Sequence, residues 1–107
     1  VNVGKEESKS GIFLEGLNDL IAEVSEMENI KIKGLMTIPP ICDSEAEVSK
    51  YFESMYQTFI DIKNKKIDNG DMDILSMGMS HDYEAAVKNG SNIVRVGSAI
   101  FGARKYF

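Results

Sequence analysis

The sequence predicts an α/β protein made of four β-α units, and three observations lead there. Short apolar runs at residues 1–3, 32–36, 72–77 and 93–96 have the length and composition of strands. Stretches with apolar residues at steps of three and four separate them, as amphipathic helices would. No change of composition and no linker divides the chain, so residues 1–107 form a single unit. Alternating strands and helices of this kind build a parallel sheet with helices packed outside it.

The elements follow in order. Val1, Asn2 and Val3 read as the end of a strand, and residues 4–11 as a polar loop. Phe13, Leu17, Leu20, Val24 and Met27 predict a first helix with those residues as its apolar stripe. Ile32 to Met36 predicts a strand in which Gly34 admits a close neighbouring backbone. Thr37-Ile38-Pro39-Pro40 must be loop, because two prolines remove two amide donors. Ser44 to Glu47 has the form of a capping box, each side chain satisfying the other's free amide. Val48, Phe52, Met55, Phe59 and Ile62 then predict a long helix with one apolar stripe. Asn69-Gly70 marks a turn and Met72 to Met77 a strand. Asp82 to Asn89 is a short helix ended by Gly90. Ile93 to Val96 is the last strand, and Ser98 to Phe101 begins a final short helix. Two architectures fit: an open doubly wound sheet, or half of an eight-stranded barrel. The absence of a G-x-G-x-x-G run after any strand weakens the dinucleotide-binding form of the first.

Composition narrows the function classes. A hydrophobic fraction of 43% with 27% charged residues belongs to a globular protein. A net charge of -5 argues against nucleic acid as the main partner. No apolar run approaches the roughly 20 residues of a membrane span. One cysteine, Cys42, excludes an internal disulfide and fits a reducing, cytoplasmic setting, where it reads as an ordinary loop thiol. The runs Lys5-Glu6-Glu7 and Lys63 to Lys66 read as solvated faces. His81, the only histidine, has no partners at metal-ligand spacing, so no metal site is expected.

Two strand-to-helix junctions carry the chemistry. Ser76 to Ser80 leads into the helix near Asp82, and Arg95-Val96-Gly97-Ser98 leads into the last helix. Helix starts offer free amides and a positive dipole end, which suit phosphate. Small residues let an anion reach the backbone, and the Ser80 and Ser98 hydroxyls add donors. Barrel enzymes place phosphate between the loops after their last two strands. The competing reading is that Ser80 only caps a helix and Gly97 only turns the chain. Arg95 lies between Val94 and Val96, in a strand expected to be buried, where an unpaired arginine is costly. It either pairs with Asp71, Asp73 or Glu84, or donates to a ligand at the end of the strand.

Four stretches together carry a resemblance: VNVGKEESKSG at 1–11, KGLMTIP at 33–39, LSMGMSHD at 75–82 and IVRVGSAIFGAR at 93–104. In that order they resemble the pyridoxal-phosphate homeostasis proteins, whose barrel is similar to the N-terminal domain of alanine racemases. The resemblance implies a (β/α)8 TIM-type barrel that holds pyridoxal 5′-phosphate (PLP) at the C-terminal ends of its strands. It implies a regulator of vitamin B6 and amino-acid homeostasis without catalytic turnover. Ser80 and the backbone of Gly97 and Ser98 would hold the phosphate. Arg95 would donate to the pyridine nitrogen, and Met36 and Met79 would lie near the cofactor.

The family's Schiff-base lysine follows the first barrel strand, and no lysine here matches it; Lys5 and Lys9 belong to a later motif. A barrel needs about 250 residues, so the 107 present are expected to be its C-terminal half, with the N-terminal half absent. Such a piece would grip PLP weakly at best, and open sheet edges would favour self-association. Two other functions remain open: a fragment of a PLP-dependent amino-acid racemase, and a phosphate-binding barrel of unrelated metabolism.

Overall fold

The structure, a computed structural model, describes residues 1–65 and 70–102. Its elements are α1 (Leu14–Ser25), β1 (Ile32–Met36), α2 (Glu45–Lys65), β2 (Gly70–Ser76), α3 (Tyr83–Lys88) and α4 (Ser98–Phe101). The expected Asn69 turn residue and the last residues of the 93–104 motif lie outside the described residues.

α2 organises the core. Val48, Phe52, Met55, Phe59 and Ile62 are all buried, as their spacing predicts, and Phe52 and Met55 have no exposed surface. Each such side chain stabilises the fold by roughly 1.5–3 kcal/mol through removal from water. α2 packs on β2 and α3, while α1 lies against β1. The α2 cap forms with a shifted partner. Glu47 N–H donates to Ser44 Oγ at 3.2 Å, but the Glu47 carboxylate accepts from Asp43 N–H at 3.1 Å. The carboxylate reaches one residue beyond the reciprocal box and ties the loop before the helix.

β1 and β2 pair in parallel, with Gly34 opposite Ile74, Leu35 opposite Leu75 and Met36 opposite Ser76. Leu35 and Leu75 are buried, whereas Met36 is 44% exposed. Gly34 is required here, because a β-carbon on it would lie 1.9 Å from the Ile74 carbonyl oxygen.

The two outer strands are not formed as expected. Residues 1–3 have no strand assignment, although the Val1 nitrogen donates to Met36 O at 2.7 Å and Thr37 Oγ1 donates to Val1 O at 2.7 Å. Ile93 makes a single parallel bridge to Ser76, and residues 94–96 are not strand. Ser91 Oγ donates to Met77 O at 2.6 Å, and Arg95 N–H donates to Gly78 O at 2.9 Å, so the ladder slips after Ile93. The described sheet is therefore two-stranded, with a hydrogen-bonded segment along each side. The lateral order is residues 1–3, β1, β2 and then residue 93 onward, which is also the chain order.

α1 forms where the periodicity predicts but presents a different face. Leu17 and Ile21 are buried, with Leu14 packed against the core. Phe13, Leu20 and Met27 are 42%, 39% and 43% exposed. Two overlapping stripes satisfy the same period, and packing on β1 selects one. No helix among the described residues is long and apolar enough to cross a membrane.

Candidate functional site

The C-terminal ends of the strands meet the starts of α3 and α4, and there the structure brings Ser80 to Gly97 and Arg95 to Thr37. Met79 N–H donates to Asp82 Oδ1 at 2.7 Å, which folds residues 79–82 into a tight turn at the start of α3. That leaves Asp82 as the N-cap residue of α3 and frees Ser80 from that task. The Ser80 hydroxyl oxygen instead accepts from Gly97 N–H and Ala99 N–H, each at 3.1 Å. Ser80 thus caps a helix, but it is α4, one unit further along the chain. One oxygen bridging two convergent amides marks a small electropositive nest of the kind an oxyanion fits. Among the described residues, the Ser80 hydroxyl makes no hydrogen bond as a donor.

Ser98 opens α4 and is exposed. Gly97 has φ of -111°, which any residue adopts, and an added β-carbon would meet nothing within 4 Å. Among the described residues, neither backbone strain nor packing calls for glycine at this position.

Arg95 is half-buried and extends across the strand ends. Its Nη2 donates to Thr37 O at 3.0 Å, while Nε is buried without a hydrogen-bond partner. Among the described residues it makes no ion pair, so pairing with Asp71, Asp73 or Glu84 is not what holds it. Asp71 bonds Lys31 at 2.9 Å and approaches Lys33 at 3.5 Å. Hydrogen bonding and charge from Lys31 hold the Asp71 carboxyl below its ordinary range and raise the Lys31 ammonium. Met36, the last residue of β1, adjoins the Thr37 that receives Arg95, and Met79 lies between Gly78 and Ser80.

His81 is exposed, with Nε2 3.4 Å from Asp82 Oδ2, and no cluster of metal-ligating side chains occurs among the described residues. A separate cleft of about 420 Å³ lies between the N-terminal ends of α2 and α3. Its walls include Asp43, Glu45, Asp82 and Glu84, and of the expected site residues only Ser80 reaches it. Acidic walls oppose an anion, so of the two sides of Ser80 it is the α4 side that has the polarity to suit one. Cys42 also lines this cleft. Burial first, then Glu47 and Asp43, push its thiol above the ordinary range.

Several organising residues carry no plain signal in the sequence. Thr37 is fully buried and supplies the carbonyl that receives Arg95. Asn92 bonds the β2 backbone twice, accepting from Leu75 N–H at 2.8 Å and donating to Asp73 O at 2.7 Å. Asn2, 3% exposed, holds the loop after it through Glu6 N–H and Glu6 O. A polar residue inside an apolar run, as in Val1-Asn2-Val3, is the one available hint, because a buried amide must find partners.

Residues 1–105 match the alanine racemase N-terminal domain. The chain belongs to that family. It is 42% identical over 106 residues to the pyridoxal phosphate homeostasis protein of Aquifex aeolicus and 43% identical to that of Escherichia coli K12. The match takes in 99% of this chain but 46% and 44% of those proteins, so the chain spans about half the length of the curated relatives it matches. A crystal structure of an unknown protein from Bifidobacterium adolescentis superposes with a TM-score of 0.87 at 35% identity, covering 94% of this chain and 40% of that one. PipY of Synechococcus elongatus superposes without PLP at a TM-score of 0.84 and 28% identity, over 95% of this chain and 47% of PipY. With PLP bound, PipY superposes at 0.67 and 31% identity, over 82% and 39%.

Proposed function

We propose that this chain supplies the phosphate and pyridine contacts of a PLP-holding protein that serves vitamin B6 and amino-acid homeostasis. The observation that carries the reading is Gly97. Its φ is ordinary and its surroundings are open among the described residues, which make no demand for a glycine there, whereas a ligand lying against the backbone would. Ser80, Gly97 and Ser98 would hold the phosphate: the nest now bridged by Ser80 Oγ has the polarity for it, and the Ser80 proton adds a donor. Arg95 would face the pyridine nitrogen, for which a buried Nε without a partner is a suitable donor. Met36 and Met79 would lie beside the ring.

PLP supplies an electron-withdrawing ring when bound. Arginine is a donor that keeps its proton, so Arg95 would leave the ring nitrogen unprotonated and weaken that withdrawal. This favours holding the cofactor over the broad carbanion chemistry of a racemase. The side-by-side order of four segments in chain order supports the C-terminal half of a (β/α)8 barrel over a doubly wound sheet, whose strand order reverses. A cytoplasmic setting would suit the protein, and its single cysteine supports that reading. Exposed Met36 and Ile93, on either side of Ser76, support pairing of this unit with a further apolar surface, such as a second copy.

The test is a titration of the chain with PLP, followed by the 15N–1H shifts of Gly97, Ser98 and Ala99. Saturable shifts, competed by inorganic phosphate and weakened by Arg95→Glu, are expected. Inert amides would overturn the assignment. Phosphate binding that is indifferent both to the pyridine ring and to Arg95 would return the site to a general phosphate-binding barrel.

A further inference from the structure

The polar loop between residues 4 and 11 has no place in the site described so far, yet it is built with care. Asn2 N–H closes it onto Ile12 O at 2.8 Å, and the Asn2 side chain bonds Glu6 twice, at 2.7 and 3.0 Å. Lys5 does point to solvent, where it pairs with the exposed Glu15. Glu6 does not behave as a solvated face: its buried Oε2 lies 2.5 Å from Lys9 Nζ. The same ammonium donates to Pro39 O at 3.0 Å and Ile38 O at 3.3 Å, thirty residues away in the chain. Gly4 packs so closely on Pro40 that a β-carbon would lie 2.3 Å from the proline ring.

The segment that Lys9 grips has a particular need. Thr37 is the last residue to join the ladder, its N–H donating to Ser76 O at 3.0 Å, and Pro39 and Pro40 beyond it have no amide hydrogens with which to continue. Side chains hold the carbonyls of residues 37–40 instead. Arg95 Nη2 takes Thr37 O, Lys9 Nζ takes Ile38 O and Pro39 O, and Cys42 Sγ takes Pro40 O at 3.3 Å. Two cations thus draw on adjacent peptide groups of one short loop. Ile38, whose carbonyl Lys9 holds, follows Thr37 directly, so the Lys9 contact bears on the orientation of the carbonyl that anchors the Arg95 guanidinium.

We infer that Lys9, clamped by Glu6, is a positioning residue that fixes the Thr37 carbonyl and so aims the free edge of Arg95 toward the bound ring. This rests on the role proposed above for Arg95 but assigns a function to a lysine that touches no ligand itself. Removal of the ammonium leaves two carbonyls without a donor, one of them on the buried Pro39. The loop then shifts, and Arg95 keeps its charge but loses its aim. The phosphate contacts lie on Ser80 and α4, apart from this loop, so they stay as they were.

The experiment compares wild type, Lys9→Met, Lys9→Arg and Glu6→Gln in the 107-residue chain. The readouts are the Arg95 Nε–H resonance and its solvent exchange, and titrations with PLP and with inorganic phosphate. Lys9→Met is expected to move the Nε–H resonance and weaken PLP about tenfold, the scale of one lost charge-assisted contact. Phosphate affinity should stay unchanged. Lys9→Arg should restore both signals, and Glu6→Gln, the milder variant should Lys9→Met not fold, should move them part of the way. An Nε–H resonance that stays in place in Lys9→Met or in Glu6→Gln overturns the inference. So does a loss of PLP and phosphate affinity in equal measure, which would mean plain structural damage. Wild type that binds no PLP refutes the proposed function instead, and the Arg95 resonance still decides the role of Lys9.

Discussion

Gly34→Ala puts the packing of the site's foundation to a direct test. A β-carbon at Gly34 would lie 1.9 Å from the Ile74 carbonyl oxygen and 2.6 Å from its carbon. Ordinary contact begins near 3.4 Å, so one backbone must yield by about 1.5 Å. Alanine would recover about 0.5–1 kcal/mol of the entropy that glycine costs in a strand. Overpacking costs about 1–3 kcal/mol, and a backbone obstacle that cannot rotate away belongs at the upper end, so sterics win. A net loss near 2 kcal/mol lowers Tm by about 8–16 °C in a domain of this size. The displacement also reaches Thr37, three residues on, and with it the anchor of Arg95. Circular dichroism melting of wild type and variant, with PLP titration as a second readout, measures both effects. A Tm within about 4 °C of wild type would refute the close β1–β2 approach.

Two further predictions follow from burial and charge. Phe52→Ala empties a site with no exposed surface at the centre of α2. It should cost about 3–5 kcal/mol, a large part of the stability of an ordinary domain, and denaturant unfolding should show a lower midpoint at unchanged slope; a loss under about 1 kcal/mol would contradict the core assignment. Cys42, whose thiol is raised by burial and then by Glu47 and Asp43, should react with iodoacetamide at about pH 8, roughly half a unit below the free-thiol pKa, more slowly than free glutathione does. Equal or faster alkylation would show that the thiol is neither buried nor opposed by carboxylates.

Much of the site was legible because its residues are ones that apolar elements exclude. Arg95 between two valines, and Ser80 and Gly97 at helix starts, stand out in the sequence, and the structure brings Ser80 to Gly97 and Ala99 through direct hydrogen bonds. Less legible was how each residue does its work. Ser80 reads as a cap for the next helix, yet it caps the one after, because Asp82 already folds the turn before α3. Lys5, Glu6 and Lys9 read alike as a polar run, and only the approach of residues 37–40 separates a solvated Lys5 from a clamped Lys9.

The sequence alone determined where the helices form, which face of α2 is buried, and why 37–40 must be loop, since these depend on periodicity and proline chemistry carried by each segment. It also determined that Gly34 marks a close approach. Only the tertiary structure decided which of two overlapping stripes on α1 turns inward and that the Ile93 segment pairs once before slipping. It alone decided that Arg95 is held by the Thr37 carbonyl rather than by a carboxylate. Those outcomes depend on which groups meet across distant parts of the chain. Periodicity limits the possible faces and partners, and competition among neighbours selects from them.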